Sequence, residues 1–169
     1  MILLADDGSA DAQAAMERAA QLMPGAQTTV LTIWEPFMEI MARTGAMAGG
    51  FGVVGGFADA EKIDAAARKA ALASASDGAR RASAAGLSAT ARCAGCDVSV
   101  AHTILTVAAE LDADVIVMGT RGLSGLKSVL LGSVSHAVLQ HADRAVLIVP
   151  SPVLAKHRHE HGRQLAPPA

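Results

Sequence analysis

Residues 113–135 read ADVIVMGTRGLSGLKSVLLGSVS and combine an apolar run, a loop with several glycines and the start of an amphipathic stretch. The run at 115–118 contains no polar residue, whereas a strand with one face in water would alternate polar and apolar side chains. The same continuous pattern occurs at 2–5 and at 145–149. We therefore predict an α/β fold in which a parallel sheet has helices on both faces.

Short β-like runs alternate with longer helix-like stretches along the whole chain. The predicted strands lie at 2–6, 28–34, 87–93, 115–118 and 145–149. The predicted helices lie between Ser9 and Pro24, over about 58–85, at 103–111 and at 133–141. This order, βαβαβαβαβ, predicts a single doubly wound domain over residues 1–152.

Composition excludes several classes of protein. The chain has 169 residues, of which 51% are hydrophobic, and a formal net charge of −2. Such apolar content excludes a disordered chain, and the near-neutral charge argues against a nucleic-acid partner. Because no apolar run approaches the roughly 20 residues of a membrane span, we expect a cytoplasmic protein with no membrane partner.

Two segments lack regular periodicity. The connection between residues 34 and 58 contains the glycine-rich stretch 45–56, for which we predict a mobile loop over the carboxyl ends of the strands. Residues 153–169 are rich in histidine, and we expect them to form a disordered tail.

Candidate binding residues follow the predicted strands, because ligands of doubly wound sheets bind outside the carboxyl ends of the strands. Gly132 and Ser133 open the last helix, where unpaired backbone N–H groups and the helix dipole favour a phosphate. Gly119 and Gly122 allow a loop to bring its backbone close to a ligand. Turn glycines and an N-cap serine would produce the same spacing, so both interpretations stay open.

The pattern Gly119-x2-Gly122-x9-Gly132-Ser133 resembles the Gly-x2-Gly-x9-Gly-Ser/Thr signature of the nucleotide-binding branch of the universal stress proteins. The segments ILLADDGS, TVLTIWE and ADRAVLIVP are similar to the same family, so the resemblance spans about 1–152. It implies the strand order 3-2-1-4-5 and a homodimer through strand 145–149. It also implies ATP between strands one and four, with AMP or cyclic AMP as related ligands.

The same resemblance implies the positions of the binding residues. Asp7 matches the acidic residue at the adenosine end, and Ile33 matches the residue whose backbone meets the adenine. Asp6 stands where many relatives carry an uncharged residue, and a second carboxylate beside a polyphosphate would weaken binding or favour a Mg²⁺-bound form. The complete set is Ala5, Asp6, Asp7, Ile33, Met118, Gly119, Arg121, Gly122, Gly132, Ser133, Val134 and Ser135.

Other motifs point to no further chemistry. The dinucleotide-like string at 50–55 follows no predicted strand, and Cys93 and Cys96 do not open the helix after strand one, as a thioredoxin-like pair would. No acid, base or nucleophile constellation predicts catalysis. We therefore expect a stress-response regulator or sensor that binds nucleotide, with slow or no hydrolysis and the loop 45–56 as a lid over the ligand. The alternative is a dimeric interaction module with an unknown protein partner, in which the glycine motif only shapes the fold.

Overall fold

The structure is a computed structural model that describes residues 1–44, 53–120, 122 and 131–156, except for the side chains of 44 and 53–58. These residues form five strands and five helices, with one helix between successive strands except between β2 and β3, where there are two. In chain order they are β1 (Ile2–Ala5), α1 (Ala10–Leu22), β2 (Gln27–Trp34), α2 (Phe37–Thr44), α3 (Val53–Ala84), β3 (Ser88–Gly95), α4 (Val100–Glu110), β4 (Val115–Gly119), α5 (Ser133–His141) and β5 (Ala145–Val149).

The strands form one parallel sheet in the order β3-β2-β1-β4-β5, which confirms the predicted fold and strand order. At the centre, Leu3 of β1 lies opposite Thr29 of β2 on one side and Ile116 of β4 on the other. The chain leaves β1 toward β2 and later returns to β4, so the strand order reverses between β1 and β4. That reversal opens a crevice at the carboxyl ends of these two strands.

Successive side chains of the central strands point to opposite faces, and both faces are covered. One buried cluster joins Leu4 and Val30 of the sheet to Met16 of α1 and Ala82 of α3. The other cluster packs the sheet against α4 and α5 through Leu3, Leu31, Ile104, Ile116 and Val138. Continuous apolar sequences are therefore required in the central strands β1 and β4, since neither face of these strands meets water.

Helix α1 begins and ends where its local sequence predicts. Ser9 is the N-cap, and its side-chain oxygen accepts a hydrogen bond from the Ala12 N–H at 3.1 Å. Beyond the last turn, Gly25 adopts a φ of +74°, a left-handed conformation that favours glycine. Its N–H donates to the Gly86 carbonyl at 2.8 Å. These contacts set both ends of α1.

The connection after β2 differs from the prediction of a continuous loop. Residues 37–44 form α2, and α3 begins at Val53 instead of near residue 58. The Phe37 N–H donates to Asp64 Oδ1 of α3 at 2.7 Å, which anchors the start of α2. Each glycine in a helix interior costs about 1 kcal/mol. The glycines in the first turn of α3 are tolerated because the helix continues to a total of 32 residues. The remainder of the predicted lid, 45–52, lies outside the described residues.

Two other boundaries also differ from the predictions. Strand β3 extends to Gly95 because it pairs along the whole of β2, from Ser88 opposite Gln27 to Gly95 opposite Trp34. Helix α4 begins at Val100 because Ser99 caps it through the His102 N–H at 3.1 Å. Pairing and capping therefore lengthen both elements.

The chain beyond β5 starts with ordered structure. Residues 152–156, which the sequence analysis assigns mainly to the disordered tail, form one helical turn, and the Ala155 N–H donates to the Ser151 carbonyl at 2.9 Å. The histidine-rich remainder, 157–169, lies outside the described residues. Within the described ranges, no helix is long and apolar enough to cross a membrane.

Candidate functional site

A cleft of about 460 Å³ opens at the carboxyl ends of β1 and β4, at the reversal of the strand order. Eleven of the twelve predicted site residues line it, and Arg121 lies outside the described residues. The eleven are Ala5, Asp6, Asp7, Ile33, Met118, Gly119, Gly122, Gly132, Ser133, Val134 and Ser135. Segments more than 100 residues apart in the chain thus meet around one space.

The cleft also has walls that the motif does not include. Leu31 and Glu35 of the β2 region share a sheet face with Ile33, and Val100 and Ile104 extend that wall from α4. The sequence could have predicted Leu31 and Glu35, because positions 31, 33 and 35 alternate along the chain and alternate residues of a strand lie on one face. The α4 residues carry no such signal, because their position depends on how α4 packs on the sheet. The resulting wall is apolar except for one carboxylate.

The turn after β1 is held by its own polar side chains. Asp7 Oδ1 accepts a hydrogen bond from the Ser9 N–H at 3.0 Å. Gly8 adopts a φ of +80°, a left-handed conformation that glycine reaches without strain. A Cβ built on Gly122 would lie 2.5 Å from Asp7 Oδ2. The Asp7 carboxylate and the loop after β4 are therefore neighbours across the cleft.

Gly119 has a structural purpose. A Cβ built on it would lie 2.7 Å from the carbonyl carbon of Asp11 and 2.8 Å from the backbone nitrogen of Ala12, inside the first turn of α1. Real Cβ atoms do not approach backbone atoms so closely. Of the two interpretations that the sequence left open, the geometry favours the structural one at Gly119, because α1 requires the space.

The start of α5 presents backbone donors to the cleft. Gly132 is the N-cap, its N–H donates to the Thr120 carbonyl at 2.8 Å, and its carbonyl accepts from His136 at 2.9 Å. No side chain caps this helix. The N–H groups of Ser133, Val134 and Ser135 precede the first intrahelical donor, so they have no acceptor within the helix. Together with the helix dipole they suit an anion.

The Ser135 side chain contributes to the fold. Its hydroxyl is buried and lies 2.9 Å from the Gly119 carbonyl and 3.2 Å from the Thr120 carbonyl, to which it donates. These contacts tie α5 to the end of β4. What Ser135 offers to a ligand is therefore its backbone N–H, and the exposed side chain of Ser133 is the better placed hydroxyl.

Asp6 does not supply the second carboxylate that the sequence led us to expect beside the phosphates. Its side chain is 3% exposed, and Oδ2 lies 3.0 Å from Arg81 Nη2 of α3. Oδ1 accepts from the Gly8 N–H at 2.9 Å. The carboxylate is thus engaged on the α3 face of the sheet, and Arg81 compensates its charge.

A second cavity of about 600 Å³ adjoins the cleft and shares Glu35, Val100, Ser133 and Val134 with it. Arg43 of α2 donates two hydrogen bonds of 3.0 and 2.6 Å to the Glu35 carboxylate. These bonds lower the pKa of the Glu35 carboxyl. This ion pair therefore remains charged at neutral pH.

The cysteines show no redox site. Burial, and then the nearby Glu35 carboxylate, raise the pKa of the Cys96 thiol, so it is protonated at neutral pH. Cys93 and Cys96 form no disulfide bond with each other, and both carry free thiols.

Comparisons with known proteins show a family. The model of the "Universal stress protein family" matches residues 1–150. Universal stress protein YxiE of Bacillus subtilis is 55% identical over 49 residues, which cover 29% of this chain and 33% of that protein. The matched segment thus spans about a third of the length of this curated relative.

Solved structures share the fold at lower identity. Universal stress protein UspA from Lactobacillus plantarum superimposes with a TM-score of 0.64 at 20% identity, over 88% of this chain and 95% of that one. A universal stress protein in complex with cAMP has a TM-score of 0.55 at 22% identity, over 89% and 95%. The universal stress protein from Archaeoglobus fulgidus in complex with dAMP has a TM-score of 0.54 at 18% identity, over 88% and 95%.

Proposed function

The chain belongs to the universal stress protein family, and we propose that it binds an adenine nucleotide in the cleft between β1 and β4. The observation that carries the proposal is that eleven residues separated in sequence line one cleft that ends at the uncapped start of α5. Structures of the family with bound cAMP and dAMP support the choice of ligand class. ATP is the form that we propose, with AMP or cyclic AMP as relatives.

The geometry of the cleft fits such a ligand. Its volume of about 460 Å³ lies within the usual range of small-molecule sites. The phosphates would lie against the backbone N–H groups at the start of α5. The adenosine would lie toward Asp7 and the apolar wall that contains Ile33 and Ile104. Each end of the cleft therefore matches one end of the ligand.

A Mg²⁺ ion would depend on the nucleotide for most of its ligands. Among the described residues, no group of three or more histidine, cysteine, aspartate or glutamate side chains could hold a metal. The Asp6 carboxylate is paired with Arg81 and the Glu35 carboxylate with Arg43, and Asp7 is the third carboxylate that lines the cleft. We propose that any Mg²⁺ enters with ATP, held through phosphate oxygens.

We propose a regulatory role with slow or no hydrolysis. Phosphoryl transfer requires cations that stabilise the moving phosphoryl group and a side chain that orients the nucleophile. Among the described residues that line the cleft, the charged ones are Asp6, Asp7 and Glu35, all of them acidic. We therefore propose reversible binding, by which a sensor reports nucleotide or stress to a partner protein.

Identification of the nucleotide that copurifies with the protein tests the proposal. The protein is purified and denatured, and the supernatant is analysed by ion-pair chromatography and mass spectrometry. In a second measurement, protein stripped of nucleotide is titrated with ATP, ADP, AMP and cyclic AMP in a calorimeter. We expect an adenine nucleotide in the supernatant and saturable binding. No retained nucleotide and no binding at millimolar concentration would instead favour the interaction module, in which glycines such as Gly119 serve packing alone.

We also propose that two copies pair through β5. This strand lies at the edge of the sheet, pairs with β4 alone in the described residues, and carries the apolar residues 146–149 only half-buried. An apolar edge of this kind is normally covered by a partner.

Replacement of Ile148 by lysine should convert a dimer to monomers, because the new charge would lose its water at the paired edge. Light scattering at micromolar concentration gives the mass. Thr90→Lys, at an exposed position on the opposite edge strand β3, is the matched control and should leave the mass unchanged. A monomeric wild type, or a dimer that Ile148→Lys leaves intact, would remove this interface.

A further inference from the structure

An ion pair with one buried partner lies behind the loop that carries Asp7, on the α3 face of the sheet. It joins Asp6, at the end of β1, to Arg81, in the last turn of α3. The Asp6 side chain is 3% exposed, whereas the Arg81 side chain is 47% exposed. The two residues are 75 positions apart in the sequence. The pair thus connects the binding loop with a helix, none of whose described side chains lines the cleft.

Four hydrogen bonds fix Asp6. Its carboxylate accepts from the Gly8 N–H at 2.9 Å and from Arg81 Nη2 at 3.0 Å. Its backbone N–H donates to the Leu31 carbonyl at 2.9 Å, and its carbonyl accepts from the Thr32 hydroxyl at 3.1 Å. Asp6 is therefore held by the sheet, by α3 and by the next turn at once.

Helix α3 has a glycine where it passes the Asp6 carboxylate. A Cβ built on Gly78 of α3 would lie 2.5 Å from Asp6 Oδ2 and 2.9 Å from Val30 Cγ1. A glycine one helical turn before Arg81 therefore leaves the space that the carboxylate occupies. Gly78 and Arg81 lie on the same side of α3, since residues three positions apart are neighbours on a helix.

Stability alone does not explain a buried charge at this position. An apolar pair of similar volume is often as stable as a buried ion pair, or more stable. What an apolar pair lacks is an acceptor for the Gly8 N–H. That bond holds Gly8 at a φ of +80°, and Gly8 directly follows Asp7.

We propose that Asp6 and Arg81 are positioning residues for the nucleotide site. Arg81 holds the Asp6 carboxylate, the carboxylate holds the Gly8 turn, and the turn presents Asp7 to the cleft opposite Gly122. This inference rests on the proposed nucleotide binding and adds to it a mechanical link between the site and α3. By reciprocity, a ligand that stiffens the turn also strengthens the attachment of the C-terminal turn of α3.

Titration calorimetry of Arg81→Met tests the link, at a temperature where circular dichroism shows each variant folded. The dissociation constant for ATP should rise about tenfold. Arg80→Met is the matched control, because Arg80 is the next residue of α3 and its guanidinium pairs with Asp77 of the same helix at 2.5 Å. Arg80→Met and the conservative Arg81→Lys should both stay close to wild-type affinity. Wild-type affinity in Arg81→Met would overturn the proposal.

A double variant covers the case in which Arg81→Met does not fold. Asp6→Val/Arg81→Met removes the buried Asp6 carboxylate together with its partner, so no buried charge is left unpaired and the variant should fold. It has no acceptor for the Gly8 N–H and should still bind ATP about tenfold more weakly. ATP binding equal to that of wild type in this variant would show that the pair serves the fold alone.

Hydrogen exchange without ligand separates this inference from the proposed function. In Arg81→Met the amides of Gly8 and Ser9 should exchange faster, while those of Ile116 and Val117 in β4 keep their protection. If wild type binds no nucleotide but this selective change occurs, the proposed function fails and the link between Arg81 and the turn stands. A uniform loss of protection through the sheet would overturn the link whether or not ATP binds.

Discussion

Gly132→Glu is expected to abolish the rise in melting temperature that ATP produces, with little change in the melting temperature of the ligand-free protein. Gly132 has a φ of −66° and a ψ of 157°, which any L-residue adopts. A carboxylate at a helix N-cap also interacts favourably with the helix dipole. The same carboxylate would repel phosphates placed at the start of α5. ATP at about 100 times its dissociation constant stabilises the wild type by about 2.7 kcal/mol, so the loss should be several degrees.

Differential scanning fluorimetry with and without ATP gives both melting temperatures. Gly132→Gln is the matched control, since glutamine has nearly the size of glutamate without its charge, and it should retain more of the ATP shift. An unchanged ATP shift in Gly132→Glu would place the phosphates elsewhere than at α5. A large fall in its ligand-free melting temperature would mean that Gly132 serves the fold.

Gly119→Val is expected to lower the free energy of unfolding by about 1–3 kcal/mol or more, whether or not nucleotide is present. The new Cβ would lie 2.7 Å from the Asp11 carbonyl carbon, which is backbone and cannot swing aside. Either β4 or α1 would have to shift, and residues of both belong to the same buried cluster. Urea denaturation followed by circular dichroism measures the change.

Gly122→Ala is the matched control for Gly119→Val. The added methyl group would meet only the Asp7 carboxylate within 4 Å, at the flexible end of a side chain, and Gly122 has no positive φ. The free energy of unfolding of ligand-free Gly122→Ala should therefore stay near the wild-type value, whereas its affinity for nucleotide should fall as Asp7 moves. Equal destabilisation by the two substitutions would contradict the structural assignment of Gly119.

The features that the sequence predicted well are those that depend on near neighbours or on burial of a whole element. Continuous apolar runs at β1, β4 and β5 predicted a sheet covered on both faces, because a strand without polar positions has no face for water. Ser9 predicted the start of α1, because an N-cap bonds to a residue three positions away. The spacing of Gly119, Gly122 and Gly132 also indicated the end of the sheet where β4 ends and α5 begins, and eleven of the twelve candidate residues line one cleft there.

The features that it did not predict depend on partners distant in sequence. The glycines after residue 44 favoured a loop, so the sequence predicted neither α2 nor the start of α3. A hydrogen bond from Phe37 to Asp64, 27 positions away, anchors α2 to α3. Asp6 looked like a second carboxylate at the ligand, and its engagement is visible only once α3 brings Arg81 beside it. Gly119 looked like part of a ligand cradle, yet the atoms that require it belong to α1. Such contacts have no pattern along the chain, because the packing of helices on the sheet creates them.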